Sequence, residues 1–320
     1  MVGKKVIFLF PGQGAQYPGM GLDLIDVSVA AKDIFKTASE ILGRDMITLI
    51  RDSDTETLKR TDVSQIAMSV ASLAAAVCLK ERGIPPAACA GFSLGEYPAL
   101  CCAGIISTED CFRLTDERGK AMQAAIDRIK TGTADDGAPG MAAVIGMAPE
   151  QVESLITGWK SSGLEDLYAA NFNSQKQVVV SGSAAALAEA ENRFKEAGAK
   201  RVLRLQVAGP FHSPFMKEAA EAFAPILEKV TFSDPSIPVF SNVTGKQIQS
   251  GDEAKILALR QIAEGVKWTD EEAALAELQP EALFEVGPGK VLQGLWKDTG
   301  SDVPCYAAGT AADIYELVKE

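Results

Sequence analysis

Apolar positions along this chain alternate between short unbroken runs and stretches of helical period. Val6-Ile7-Phe8-Leu9-Phe10 is a β-prone run with no polar break, the pattern of a strand covered on both faces, and Pro11-Gly12-Gln13-Gly14 ends it. Val27, Ala31, Ile34, Phe35, Ala38, Ile41 and Leu42 then recur at helical spacing before Gly43, which predicts an amphipathic helix with a glycine cap. From about Ser64 to Leu79 the chain is apolar nearly all round, so a second helix should lie against the sheet. Gly83 and Pro85-Pro86 break it. The short apolar run Ala87 to Ala90 reads as another strand, and Glu96 to Cys102 and Glu109 to Ile126 read as helices.

The texture changes at Thr131 to Gly140, a polar, small-residue stretch that predicts a linker. Beyond it the elements shorten. Met141 to Ile145 is strand-like, Pro149 to Trp159 helical, and Leu167 to Ala170 and Gln177 to Ser181 strand-like. Ala184 to Ala197 then reads as helix and Val202 to Val207 as strand with Arg204 turned out. The order β-α-β-β-α-β is that of a ferredoxin-like unit, expected at 131–207. Helical period returns after Met216, at Ala219, Ala220, Phe223, Ile226 and Leu227, and Val239-Phe240 and Leu283-Phe284 resume buried strands. The small domain is therefore predicted as an insertion into a discontinuous α/β domain formed by 1–130 and 208–320.

Composition narrows the function. At 320 residues and 47% hydrophobic content the chain can bury a full core as one or two domains. A formal charge of −12 argues against general nucleic-acid or anionic-membrane partners, so an anionic ligand must meet a local basic pocket. The six cysteines contain no Cys-x-x-Cys and read as small core residues in a reducing cytoplasm; no metal site or cofactor is expected. Val6 to Phe10 is too short for a signal segment, and Ile66 to Leu79 falls short of the about 20 residues that span a bilayer.

Candidate chemistry centres on Gly91-Phe92-Ser93-Leu94-Gly95-Glu96. A serine between strand and helix, flanked by glycines that remove crowding Cβ atoms, has the form of a nucleophile elbow. Gly12-x-Gly14 after the first strand suggests a dinucleotide loop, but Tyr17 stands where a third small residue is needed. Gln13 then reads either as a donor to a reacting oxygen or as part of a plain turn. A serine nucleophile needs a base, and the chain has one histidine, His212, in Gly209-Pro210-Phe211-His212-Ser213-Pro214. Asp116 and Asp135 are candidate third members of a triad; a dyad oriented by another group is equally open.

Taken together, these residues resemble the malonyl-CoA:acyl-carrier-protein transacylase family over essentially the whole chain. The landmarks are Phe10 to Gly14, Thr61 to Gln65, Gly91 to Tyr97, Glu117-Arg118-Gly119 with Met122-Gln123, and Ala170 to Ser174. Phe211-His212-Ser213, Asn242 to Gly245, Val266-Lys267-Trp268 and Glu285 to Lys290 complete them. The resemblance implies an α/β-hydrolase-like large domain with a ferredoxin-like insertion. It implies malonyl transfer from malonyl-CoA to an acyl carrier protein by a ping-pong mechanism, in fatty-acid synthesis. By position, Ser93 would be acylated, His212 would be the base, and the amides of Gln13 and Leu94 would form the oxyanion hole. The main-chain carbonyl of Gln261 would orient His212, Arg118 would bind the malonyl carboxylate, and Gln65 and Asn171 would line the site. Phe211 fits malonyl over methylmalonyl in family terms. Phe92 departs from the histidine usual before the nucleophile, which bears on acyl selectivity more than on activity.

On its own, Arg118 reads as a helix-surface arginine beside Asp116 and Glu117; in the family it becomes the selector, because a guanidinium meets a carboxylate with two charge-assisted bonds. Lys195, Lys200, Arg201 and Arg204 form a basic cluster that would steer an acidic carrier, or simply a solvated helix end. The carrier is expected in trans, and the protein is expected to act as a monomer. The rival readings are a serine hydrolase, a loader of another acyl unit for polyketide assembly, and an inactive scaffold.

Overall fold

In the computed structural model, which describes residues 1–132 and 137–319, eight strands form two sheets. In chain order they are β1 (Val6–Phe10), β2 (Ala88–Gly91), β3 (Gly140–Ile145), β4 (Leu167–Ser174), β5 (Gln177–Gly182), β6 (Arg201–Arg204), β7 (Ala282–Glu285) and β8 (Cys305–Ala307). The first sheet has the order β2-β1-β7-β8 and is parallel throughout; Phe10 pairs with Gly91 and Leu9 with Glu285. All five residues of β1 are buried, as a strand with covered faces requires. One face of this sheet packs Phe8 against Phe284, with centroids 6.2 Å apart, and the other buries Ile7 and Leu9 with Trp268 and Trp296.

Against the first face lies the helix Thr61–Glu81, which meets the helices Val29–Leu42 and Thr108–Gly132. Its 21 residues are long and apolar enough to cross a bilayer, longer than the stretch the sequence pattern marked, but 89% of its most apolar window is buried among other elements. Ser64, Ser69 and Ser72 shorten the apolar reading without ending the helix; the Ser69 hydroxyl bonds back to the Gln65 carbonyl at 2.9 Å.

The second sheet has the antiparallel order β4-β5-β3-β6, with the helices Pro149–Lys160 and Ala184–Glu196 on one face. Strand alternation splits β3 between two cores. Ala142 and Val144 join those helices, while Met141 and Ala143 pack into the core of the first sheet. A parallel bridge between Asn171 and Val266 ties this sheet's edge to the main body.

Three expected segments differ. The strand expected over 202–207 ends at Arg204, and a hydrogen bond from the Leu205 amide to the Met141 carbonyl at 2.9 Å continues the contact with β3 by one residue. Val239-Phe240 makes single bridges, to Cys89 and Gln247, and forms no strand. The expected linker begins inside a helix that continues to Gly132, and positions 133–136, including the candidate acid Asp135, lie outside the described residues.

Candidate active site

The elbow follows β2. A Cβ on Gly91 would stand 2.0 Å from the Gly95 carbonyl oxygen, and one on Gly95 would stand 2.0 Å from that of Phe10, so both positions need glycine. Between them Ser93 has φ of 51°, a left-handed conformation that a non-glycine residue holds only when its surroundings fix it. Asn242 supplies that fixation. Its Oδ1 accepts from the Ser93 amide at 2.6 Å, and its Nδ2 donates to the Gly91 carbonyl at 2.7 Å.

The Ser93 hydroxyl lies 2.7 Å from His212 Nε2. On the far side of the ring, Nδ1 faces the main-chain carbonyl oxygens of Gln261 at 2.9 Å and Glu264 at 3.1 Å. Carbonyls only accept, so the proton belongs on Nδ1 and Nε2 is left as the acceptor for the serine hydroxyl. Burial first, and the positive charge of Arg118 second, push the imidazole down to about 4, so it is neutral at physiological pH. His212 itself has φ of 53°, and its loop is pinned by the Ser181 hydroxyl, which donates to the Phe211 carbonyl at 2.6 Å. Asp116 does not serve the histidine: it pairs with Arg44 and, at 2.7 Å, with Lys120.

Arg118 is fully buried, although its neighbours Lys120 and Glu117 are on the surface side of the same helix. Its Nη1 donates to Gln65 Oε1 at 2.7 Å and its Nη2 to Gln261 Oε1 at 2.9 Å, while its Nε has no partner. The guanidinium lies 5.5 Å from the centre of the Tyr97 ring. No carboxylate makes an ion pair with it among the described residues, and burial lowers its pKa. A desolvated cation whose fixed partners are neutral amides is a receptor for an anion.

Ser93, His212 and Arg118 share a cavity of about 730 Å³ with Gln13, Leu94, Gln65, Asn171, Phe92 and Phe211. Asn171 comes from β4, so the second sheet lines the wall together with the loops that follow β1 and β2. Phe92 packs edge-on against Trp268 with centroids 5.5 Å apart. The four basic residues of the expected carrier patch stand elsewhere, at the end of the Ala184–Glu196 helix and on β6. There Lys195 pairs with Glu191 at 2.6 Å, and Arg201 and Arg204 are exposed.

Beneath the elbow the structure adds residues to which sequence reasoning gave no role. Glu96 Oε2 accepts from the Asn242 amide at 2.8 Å and from Gln261 Nε2 at 3.1 Å. Glu271 Oε1 accepts from Asn242 Nδ2 at 2.7 Å. Both carboxyls are fully buried, and burial raises both, Glu96 to about 7. The available signal was Glu96 opening an otherwise apolar helix directly behind the nucleophile.

The family described as acyl transferase domain matches residues 7–314. The malonyl CoA-acyl carrier protein transacylase of Haemophilus influenzae is 38% identical over 314 residues, covering 97% of each chain, and that of Bacillus subtilis is 38% identical over 294 residues, covering 92% of this chain and 90% of its own. Among solved structures, the Clostridium perfringens malonyl CoA-acyl carrier protein transacylase superposes with a TM-score of 0.91 at 34% identity, covering 98% of this chain and 96% of the other. A malonyl-transacylase in complex with its holo type II PKS acyl-carrier protein gives 0.89 at 35% identity, covering 98% and 99%.

Proposed function

The chain belongs to the acyl transferase domain family, and from its site we infer that it moves a malonyl group from malonyl-CoA to the thiol of an acyl carrier protein, in fatty-acid or polyketide assembly. The observation that carries the malonyl assignment is Arg118: a buried guanidinium with no carboxylate at ion-pair distance among the described residues, in the same cavity as the Ser93–His212 pair.

His212 Nε2 takes the proton of Ser93 as its Oγ attacks the thioester carbonyl, and returns it to the CoA sulfur as the tetrahedral intermediate collapses. The result is a malonyl ester on Ser93 and free CoA. The carrier thiol then gives its proton to His212 and attacks the ester, and the proton returns to Ser93. The amides of Gln13 and Leu94 receive the oxyanion in each half-reaction. Thioester, ester and thioester are close in energy, so the site's task is to orient the acyl group and exclude water. Gln65 and Gln261 hold the guanidinium from two sides, leaving its remaining donors for the malonyl carboxylate.

The carrier docks in trans, steered by Lys195, Lys200, Arg201 and Arg204. One chain carries every catalytic group, and six free thiols suit a reducing cytoplasm, which together favour a cytoplasmic monomer. Incubation of the protein with labelled malonyl-CoA and a holo carrier protein tests this reading. Label on Ser93 and then on the carrier supports it; label released only as free malonate identifies a hydrolase.

A further inference from the structure

Gln261 joins Glu96 to Arg118: its Nε2 donates to Glu96 Oε2 at 3.1 Å while its Oε1 accepts from Arg118 Nη2 at 2.9 Å. One amide thus stands between the buried cation of the site and a buried carboxyl. We propose that Glu96 is a positioning residue that acts as the internal counter-charge of Arg118 through Gln261, and that it takes up a proton from solvent when a substrate carboxylate arrives at the guanidinium. This rests on Arg118 being the partner of the acyl carboxylate.

Charge balance carries the argument. In the free enzyme the Arg118 charge and an ionised Glu96 compensate each other in a desolvated region. A malonyl carboxylate adds a second anion to one cation, and protonation of Glu96 restores the balance. Glu96 is built for this change. Its Oε1 has no hydrogen-bond partner and is buried, so the ionised form is incompletely satisfied. The titratable groups that face it are moved away from their ordinary ranges. Burial first, and the Glu96 charge second, push the carboxyl of Glu271, on the Trp268–Glu277 helix, well above the usual carboxylate range; burial raises Tyr97 next to Glu96; and His212 lies at about 4. Arg118, on the Thr108–Gly132 helix, remains the cation. Because Gln261 also donates to the Ser93 carbonyl at 2.8 Å, loss of the Glu96 contact loosens the amide that spans nucleophile and selector.

Calorimetric titration of malonyl-CoA into Ser93→Ala, which binds without being acylated, in buffers of different ionisation enthalpy counts the protons taken up. Acetyl-CoA, which lacks the carboxylate, is the control. With Glu96 at about 7, uptake beyond the control should rise from roughly a tenth of a proton at pH 6 to roughly half at pH 7 and toward one at pH 8, and Glu96→Gln in the same background should abolish it. Uptake that survives Glu96→Gln, or that does not rise between pH 6 and pH 8, overturns the proposal; the pH series on Ser93→Ala decides alone should Glu96→Gln not fold. Selective malonyl-CoA binding without proton uptake contradicts this inference only, whereas equal binding of malonyl- and acetyl-CoA contradicts the role of Arg118 on which it rests.

Discussion

The imidazole of His212 is held not by a carboxylate but by the main-chain carbonyl oxygen of Gln261, 2.9 Å from Nδ1. The backbone of Gln261 therefore holds the imidazole while its side chain bonds Arg118 and the Ser93 carbonyl. Gln261→Ala separates the two roles. It leaves the carbonyl in place and removes a hydrogen bond to a charged group, a loss of about 1.5–3 kcal/mol. The kcat/KM for malonyl-CoA should fall roughly 10- to 100-fold, and that for acetyl-CoA distinctly less. An equal fall for both substrates would show that the side chain serves the base and not the guanidinium.

With His212 depressed to about 4, the base is already neutral at pH 6. Acyl transfer from acetyl-CoA by Glu96→Gln, which removes the neighbouring group that titrates at about 7, should be flat from pH 6 to 8 and decline only as pH falls below about 5. A half-maximal rate near pH 6.5 would mean that the histidine is solvated and its pKa ordinary. Stability follows the same sign: the unfolded chain binds this proton more readily, so stability is lost as pH falls from about 6.5 toward 4.

Glu272 gives the opposite dependence. Burial raises its carboxyl to about 8 while its Oε1 accepts from the Trp268 indole at 2.9 Å. The folded protein thus holds a proton that the unfolded chain releases near 4.5, and stability is lost as pH rises through about 8. Glu272→Gln retains an acceptor for the indole without the charge. Between pH 5 and pH 9 its stability in urea should improve relative to the wild type by about 2 kcal/mol or more. Parallel stability curves would place Glu272 in water.

Gly95→Ala should abolish activity and destabilise the fold by roughly 3 kcal/mol, since its Cβ would lie 2.0 Å from the Phe10 carbonyl oxygen at the junction of β1 and the elbow. Gly294→Ala, on a helix where nothing beyond its chain neighbours and the helix's own backbone lies within 4 Å of the added Cβ, is the matched control and should remain folded and active. Urea midpoints and acyl transfer compare the two.

The parts of this molecule that were legible in the sequence share a local cause. β1 announces itself because five successive apolar residues have few alternatives to a covered strand, and the elbow because only glycine permits its close approaches. His212 was found because it is the one histidine. What stayed hidden depends on distant partners. β8 is three half-buried residues that pair, among the described residues, with β7 alone. Asn242 bonds an elbow about 150 residues away, and Glu271 reaches that elbow only through Asn242, separations at which periodicity carries no information. Arg118 shows both cases. Its helical period places it beside surface charges, and only packing against Thr61–Glu81 and Gln261 reveals that it is buried.

The central claim is that Ser93 forms the acyl ester and Arg118 selects its carboxylate. Mass spectrometry of the protein after brief exposure to equimolar malonyl-CoA and acetyl-CoA reads both at once, for the wild type and for Arg118→Ala. The wild type should carry malonyl on Ser93 almost exclusively, and Arg118→Ala should lose that preference by roughly 100-fold or more while still accepting acetyl, as expected for a lost charge-assisted pair. Malonyl preference that persists in Arg118→Ala, or acyl label on a residue other than Ser93, would contradict the account.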